Sequence, residues 1–439
     1  MASWSPGLPA TGSGEACFQD GRVPGHNLKK RSFGMIVGVI GLSLRFKPKL
    51  NRMKEKSYEE INRKLKEGCA VVLTAAEVAE MGRTATPAEI LERVDVVTTA
   101  TFGAMCSSGA IINFGHTDPP IRMEKIRING VPCYEGLAAV DGYIGATACD
   151  PDRPEYGGAH VIQDLLEGKT LELEAWGKGT DCYPRKHIKT TISLETVNEV
   201  FLFNPRNAYQ NYNVAVNTTK RLIHTYMGTL LPHLRNATYS TSGELSPLLN
   251  DPEMRTIGIG SRILLGGAQG YVVWPGTQYN TSKPVSTHGI PLGNARTIAV
   301  IGNLKEMSPA YLKAAYIDRY GTTLFVGIAI PIPVLDEEIA RRVAIRDDQI
   351  ETAILDYGSP GTPKLGEVSY ASLRSGFITV EGKKVRTAPV ASLAKARELA
   401  ELLRRQLLAG DFTITRPVQM FPAHASLRSL KETETEEQP

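Results

Sequence analysis

The 439 residues contain no C-x-x-C pair, no G-x-G-x-x-G fingerprint, no G-x-x-x-x-G-K-[ST] loop and no G-x-S-x-G elbow. Without paired cysteines or a Cys/His cluster there is no spacing for a structural zinc or an iron–sulfur cluster, and no metal is expected. Without the glycine fingerprints a dinucleotide or nucleoside triphosphate site is not indicated, and without the elbow a hydrolase of that type is disfavoured. Gly258-Ile259-Gly260 and Gly266-Gly267-Ala268-Gln269-Gly270 are rich in glycine but match neither pattern. The six cysteines, Cys17, Cys69, Cys106, Cys133, Cys149 and Cys182, fall at irregular spacings. Such usage favours a reduced, cytoplasmic setting in which each thiol is judged by its surroundings.

A long apolar run is also missing. Ser32 to Leu44 is apolar over 13 residues, whereas a helix needs about 20 to cross a bilayer. A signal peptide would fit that length, but no A-x-A site follows it. Residues 1–52 hold eight Lys/Arg against Glu15 and Asp20, and the remainder holds 42 basic and 44 acidic residues. The body therefore has no basic stripe to neutralise phosphates, and neither nucleic acid nor a membrane is an expected partner. Residues 1–52 read as an N-terminal extension or over-long start, 53–425 as the catalytic domain and 426–439 as an acidic, disordered tail.

What is present is the composition of a globular protein, 42% hydrophobic and 22% charged, with enough apolar residues for a substantial core. Ser57/Glu60, Thr74/Glu77 and Thr86/Glu89 have capping-box spacing, with Pro87 after Thr86, so three helices start there. The β-branched runs Ala70–Leu73 and Val94–Phe102 between them read as strands. Asn129-Gly130 between IRI and VPCY reads as a tight hairpin. Later helices are expected from Ser308 to Gly321, after Asp336, from Asp347 to Gly358 and from Leu393 to Ala409, ending at Gly410. The whole predicts an α/β fold, a mixed sheet flanked by helices in a single large catalytic domain with elaborations.

Two thiols stand in settings that suit chemistry. Cys106 lies just past a predicted strand among Gly103, Ser107, Ser108 and Gly109, where small residues free backbone N–H groups; if Ser107-Ser108 open a helix, its dipole would also stabilise a thiolate. Cys182 lies among Lys178, Arg185, Lys186 and His187, and nearby cations lower a thiol pKa. Cys69 and Cys133 fall in apolar segments and read as core. Asn204 to Asn213 gathers amides, an Arg and aromatics. Arg206, Asn207, Tyr209 and Asn211, with Arg185, are candidates to hold the carboxylate and ammonium of an amino acid, although an Asx-turn loop would show the same composition. His116 with Asp118 offers a proton donor or acceptor, and His160 opens a helical pattern.

Read in order, VVTTATFGAMCSSG, NFGHTDPPIR, GLAAVDGYIGAT, YGGAHVIQDLLEGK, GTDCYPRK, NPRNAYQNYNVAVN, SPLLNDP and GIGSRILLGG resemble the homocysteine biosynthesis family of anaerobic archaea and bacteria, whose activity is that of an L-aspartate semialdehyde sulfurtransferase. The resemblance runs from about Glu59 to about Gly358. It implies that Cys106 and Cys182 are the family's two cysteines, with a persulfide on Cys182 as covalent intermediate and no cofactor bound by the chain. Cys106 would hold the substrate carbon as a hemithioacetal or close a disulfide with Cys182, and His116 and Asp118 would assist as water leaves. The implied partners are L-aspartate semialdehyde, sulfide or a sulfane-sulfur donor, and a small ferredoxin-type electron donor, with a homo-oligomer left open. Many relatives continue into a pair of CBS domains. This chain ends in a helix, a short extended segment and the acidic tail, so adenine-nucleotide regulation is not carried over. A non-catalytic persulfide carrier and a coenzyme A transferase-like enzyme are the alternatives.

Overall fold

In the computed structural model of the protein the described residues are 55–207 and 210–430, so the expectations for residues 1–52, for Tyr209 and for the acidic end from residue 431 lie outside them. The N-terminal helices Tyr58–Lys66, Ala75–Met81 and Pro87–Arg93 start where the sequence places them. Thr74 with Glu77 and Thr86 with Glu89 form reciprocal capping boxes, each satisfying backbone donors that a helix start leaves unpaired. The helix Leu393–Ala409 stops at Gly410, whose φ of 81° is left-handed. Its buried Ala396, Leu399, Leu403 and Leu407 join the main core, each large side chain stabilising the fold by about 1.5–3 kcal/mol. The approach is close enough that a Cβ on Gly327 would lie 2.6 Å from Leu399 Cδ1. No helix among the described residues is long and apolar enough to cross a membrane.

The core is built on an 11-stranded sheet, in the order Val72–Thr74, Val96–Ala104, Gly321–Pro333, Arg262–Leu265, Ala268–Pro275, Ile298–Asn303, Glu199–Asn207, Gly109–Asn113, Asp141–Gly145, Tyr134–Ala138, with Leu312–Ile317 also paired to Gly321–Pro333. The first pair is parallel and the others antiparallel, so the expected mixed sheet is present. The link Met105–Ser108 joins two strands that are six places apart in this order. A flat sheet would separate them by about 29 Å at ~4.8 Å per strand, while five residue steps reach only ~17 Å. The sheet must therefore curl. Met105 N–H donates to Leu324 O and Ala146 N–H to Ser108 O, and Thr322 Oγ1 donates to Ala146 O at 2.9 Å, stitching its two halves together.

A four-stranded sheet holds Val131–Pro132, Lys125–Ile128, Leu171–Trp176 and His187–Ile192, with Asn129 and Gly130 both at positive φ in the expected hairpin turn. Ile223–Thr225 and Gly228–Leu230 form a separate hairpin. A six-stranded sheet holds Lys364–Ser369, Glu351–Asp356, Val214–Val216, Asn236–Tyr239, Lys383–Pro389 and Phe377–Val380 over its own apolar cluster.

Two expected helices are strands. After a turn in which Tyr311 N–H donates to Ser308 O, Leu312–Ile317 pairs along Gly321–Pro333. The long β-branched strand offers a ladder that outweighs the local Ser-Pro start signal. Asp347 does not start a helix. Glu351–Asp356 is a strand held between Val214–Val216 and Lys364–Ser369, burying Ala353 and Ile354. No helix opens at Ser107-Ser108 either, because the turn leads straight into Gly109–Asn113. Cys69, expected in the core, is exposed. It stands in the link between the Tyr58–Lys66 helix and the Val72–Thr74 strand, ahead of the first residue that enters the sheet.

Asp347 has a different task. Its carboxylate accepts from Glu244 N–H at 2.9 Å and pairs with Arg374, pinning the Ser240–Ser246 segment from behind. Burial pushes its pKa up to about 6, with Arg374 opposing. An acid whose folded pKa is raised binds more protons folded than unfolded, so its contribution to stability falls as pH rises from about 4 to about 6. We expect the stability of the protein relative to Asp347→Asn to fall by about 2 kcal/mol between pH 4 and pH 7, as read by denaturant unfolding. A difference that does not change with pH would contradict the assignment.

Candidate active site

Cys106 sits two residues beyond the strand Val96–Ala104, at the corner where the curled sheet turns. It is half-buried and opens into a cavity of about 290 Å³ lined also by Ser107, Arg206, Tyr212, Tyr226, Thr241 and Tyr320. Two hydroxyls face its sulfur. Thr323 Oγ1 donates to Sγ at 3.2 Å and Tyr320 Oη at 3.7 Å. Both come from the hairpin between Leu312–Ile317 and Gly321–Pro333. The sequence reading missed them because it continued a helix through this turn. The short Asp318-Arg319-Tyr320-Gly321 turn before a β-branched run was the available signal.

Buried Asn204 fastens this corner to the next strand. Its Nδ2 donates to Ser108 Oγ at 2.8 Å, while its Oδ1 accepts from Arg206 N–H at 2.7 Å. Ser107 Oγ lies 3.0 Å from both Asn204 Oδ1 and Arg206 O. The ladder with Ile298–Asn303 shifts register between Asn204 and Asn207, and such a bulge re-aims a side chain. Here it turns Arg206 to the cavity, where no carboxylate among the described residues pairs with it.

The opposite wall is aromatic. Tyr226, at the tip of the Ile223–Thr225/Gly228–Leu230 hairpin, meets Tyr212, Tyr320 and Tyr357 with ring centroids 5.9–6.1 Å apart, all edge-on. Its Oη lies 2.7 Å from Tyr357 Oη, which also accepts from Asn213 Nδ2 at 3.0 Å. Burial raises the phenol pKa of Tyr320 and of Tyr357. For Tyr320 the neighbouring Cys106 sulfur adds to the rise and Arg206 opposes it.

Cys182 lies elsewhere. It is exposed at the tip of the hairpin joining Leu171–Trp176 to His187–Ile192, in a turn closed by Thr180 N–H to Tyr183 O and Tyr183 N–H to Thr180 O. The cations around it have their own partners. Lys178 pairs with Glu124 at 3.6 Å and His187 with Glu174 at 3.1 Å. Arg185 donates to the carbonyls of Asp118 and Pro119. The stem of Lys186 packs on Gly179, where a Cβ would lie 2.8 Å from Cε. The His116 ring stacks on Tyr183 at 6.4 Å. His116, Asp118 and Arg185 thus gather with Cys182, while Cys106 and Arg206 gather in the cavity.

The two groups lie off opposite ends of the strand Gly109–Asn113, whose four steps alone put roughly 13 Å between its ends. Cys182, His116 and Asp118 do not line the Cys106 cavity and both cysteines are free, so the expected pairing of the two cysteines across one site is not formed within the chain. Asn211 is buried away from the cavity, its Nδ2 donating to Pro291 O and Glu351 O. Asn207 is buried at the end of its strand. Of the expected substrate-binding set, Arg206 alone among the described residues lines the cavity.

The remaining candidates are structural. His160 Nδ1 accepts from Gly157 N–H at 3.3 Å at its helix start. Cys133 is buried as expected, and burial pushes its thiol up to about 12. Gly266 and Gly267 make the tight turn between Arg262–Leu265 and Ala268–Pro275, at φ 59° and 84°.

Residues 70–414 match the family described as homocysteine biosynthesis enzyme, sulfur-incorporation. The chain is 49% identical over 385 residues to the L-aspartate semialdehyde sulfurtransferase of Methanosarcina acetivorans, covering 87% of this chain and 75% of that protein. It is 50% identical over 381 residues to the protein of the same name from Methanocaldococcus jannaschii, covering 83% of this chain and 72% of that one. An uncharacterized protein of Methanothermobacter thermautotrophicus is 26% identical over 334 residues, covering 74% and 73%. No solved structure matches.

Proposed function

The chain belongs to the homocysteine biosynthesis, sulfur-incorporation family, and from that premise we infer that it is an L-aspartate semialdehyde sulfurtransferase whose carbon chemistry takes place in the Cys106 cavity. The observation that carries the reading is one small cavity lined by a half-buried thiol whose sulfur two hydroxyls face, and by an arginine that no carboxylate among the described residues pairs with. At about 290 Å³ it stands at the low end of ligand pockets, a size for a four-carbon amino acid aldehyde. Arg206 holds the carboxylate, the tyrosine faces receive the ammonium, and Cys106 adds to the aldehyde carbon to give a hemithioacetal. With the cysteines at separate places, the hemithioacetal is the role retained for Cys106, and the Cys106–Cys182 disulfide is set aside.

Sulfur enters at Cys182, which stands exposed where a sulfane-sulfur donor can reach it: the Cys182 thiolate bonds to the donor's terminal sulfur, the donor leaves as its own thiolate, and the sulfur is carried there as a persulfide. His116 and Asp118 serve that loop. Starting from sulfide, aldehyde plus hydrogen sulfide plus two electrons and two protons gives thiol plus water. Sulfur arriving at the persulfide level needs two electrons more. A ferredoxin-type protein in the cytoplasm is the external donor in this reading.

The test is whether purified protein, sulfide, the semialdehyde and a chemical reductant suffice to make homocysteine. A carrier would need a further enzyme, and a coenzyme A transferase would bind coenzyme A. In the same assay Arg206→Met should raise the KM for the semialdehyde roughly ten- to hundredfold, the loss of a charge-assisted pair worth about 1.5–3 kcal/mol. A KM within threefold of the parent would remove Arg206 from the substrate.

A further inference from the structure

We propose that Tyr320 is a catalytic acid at Cys106, passing its phenolic proton to the carbonyl oxygen of the substrate as the sulfur adds to the aldehyde carbon. This assignment rests on the reading of the Cys106 cavity as the site of carbon chemistry. Its basis is placement. Tyr320 Oη lies 3.7 Å from Cys106 Sγ and Thr323 Oγ1 lies 3.2 Å from it, so two O–H groups converge on one sulfur inside the cavity. Two donors on a sulfur support its thiolate. A carbonyl carbon that approaches the sulfur to bond with it brings its oxygen within a bond length of that carbon, and so into reach of the same donors.

The two donors are not equivalent. Thr323 is fully buried on the strand Gly321–Pro333, and an aliphatic hydroxyl does not give up its proton near neutral pH. Tyr320 stands in the turn and is 40% exposed, so solvent can return a proton to it after each turnover. Tyr320 N–H donates to Ile317 O at 2.9 Å, holding the turn. Its ring is met edge-on by Tyr226 at 6.1 Å, and Tyr226 is fixed in turn by its contact with Tyr357. The raised pKa of the Tyr320 phenol, from burial and the adjacent sulfur, keeps the proton in place until negative charge develops on the carbonyl oxygen.

The step balances without a redox partner. The Cys106 thiolate lone pair forms the C–S bond, the C=O π pair moves to oxygen, the Tyr320 proton moves to that oxygen, and the phenolate takes a proton from water. The product is the neutral hemithioacetal with Tyr320 restored. Arg206, close enough to oppose the rise in the phenol pKa, steadies the phenolate in between.

The experiment compares Tyr320→Phe, Thr323→Val and Cys106→Ser in two assays: homocysteine formation, and alkylation of Cys106 by iodoacetamide, in which the sulfur displaces iodide at a CH2 carbon and no oxygen takes up charge or a proton. Tyr320→Phe should lower kcat about a hundredfold or more, in the range of general acid catalysis, while Cys106 alkylates within threefold of the parent rate. Thr323→Val should slow both reactions alike. Turnover of Tyr320→Phe within threefold of the parent overturns the proposal, and so does an equal loss in both assays, which would mean that Tyr320 only supports the thiolate. Cys106→Ser separates the two levels. If it turns over normally, the cavity reading itself falls. If it is inactive while Tyr320→Phe is unimpaired, only the Tyr320 assignment falls.

Discussion

Cys106→Ser should lower homocysteine formation at least a thousandfold while leaving the fold and any extra sulfur on Cys182 in place. The size of the effect follows from the chemistry of the atom. A thiol ionises near pH 8.5, a few per cent is thiolate at neutral pH and it is intrinsically very nucleophilic, whereas a serine hydroxyl needs an adjacent base to attack. The groups next to Cys106 are donors, Thr323 Oγ1 and Tyr320 Oη, which support a thiolate and do nothing to deprotonate an alcohol. The fold should tolerate the change because Cys106 is half-buried in a turn and the corner is fastened through Ser107, Ser108 and Asn204. Product assay by mass spectrometry, with a thermal midpoint as control, decides it. Turnover above a tenth of the parent rate would show that Cys106 does not bond to the substrate.

Cys182→Ser should remove the added sulfur atom, about 32 Da per chain, and with it turnover from a sulfane donor. The persulfide needs a thiol that a donor can reach, and Cys182 is exposed at a hairpin tip. Its replacement costs the core nothing, since its neighbours in the turn are tied through backbone groups, Thr180 to Tyr183. Peptide mapping of protein treated with a sulfane donor should place the extra mass on Cys182 in the parent and in Cys106→Ser, and nowhere in Cys182→Ser. A persulfide mapped to another cysteine, Cys149 or Cys69 included, would overturn the assignment.

The local part of the fold could be read from the sequence. Thr74 with Glu77, Thr86 with Glu89, Asp336 before its helix and Gly410 after the last one each carry their information within one turn of chain, and the structure uses them in that way. The segments 308–321 and 347–358 were misread for the converse reason. The first pairs with Gly321–Pro333 across a short turn that the Ser308-Pro309 start signal masked; the second pairs with Val214–Val216, and no local propensity reports that so distant a strand will offer a free edge. The same split runs through the site. Cys106 was visible from its small neighbours, and Arg206 from its amide-rich stretch. Tyr320, Thr323 and Tyr226 were not, because they reach the sulfur or its cavity only through the curl of the sheet and a hairpin laid over it. Arg185 and Arg206 looked alike in sequence. Arg206 lines the cavity and Arg185 does not, and the carbonyls of Asp118 and Pro119 occupy Arg185.

The most direct test of the Cys106 cavity as the place where the substrate carbon reacts is the rate at which each cysteine is alkylated with and without L-aspartate semialdehyde, followed residue by residue by peptide mass spectrometry. The account predicts that the semialdehyde slows labelling of Cys106 severalfold and leaves Cys182 and Cys69, which are exposed and do not line the cavity, at their original rates. Protection of Cys182 with Cys106 unchanged would contradict it.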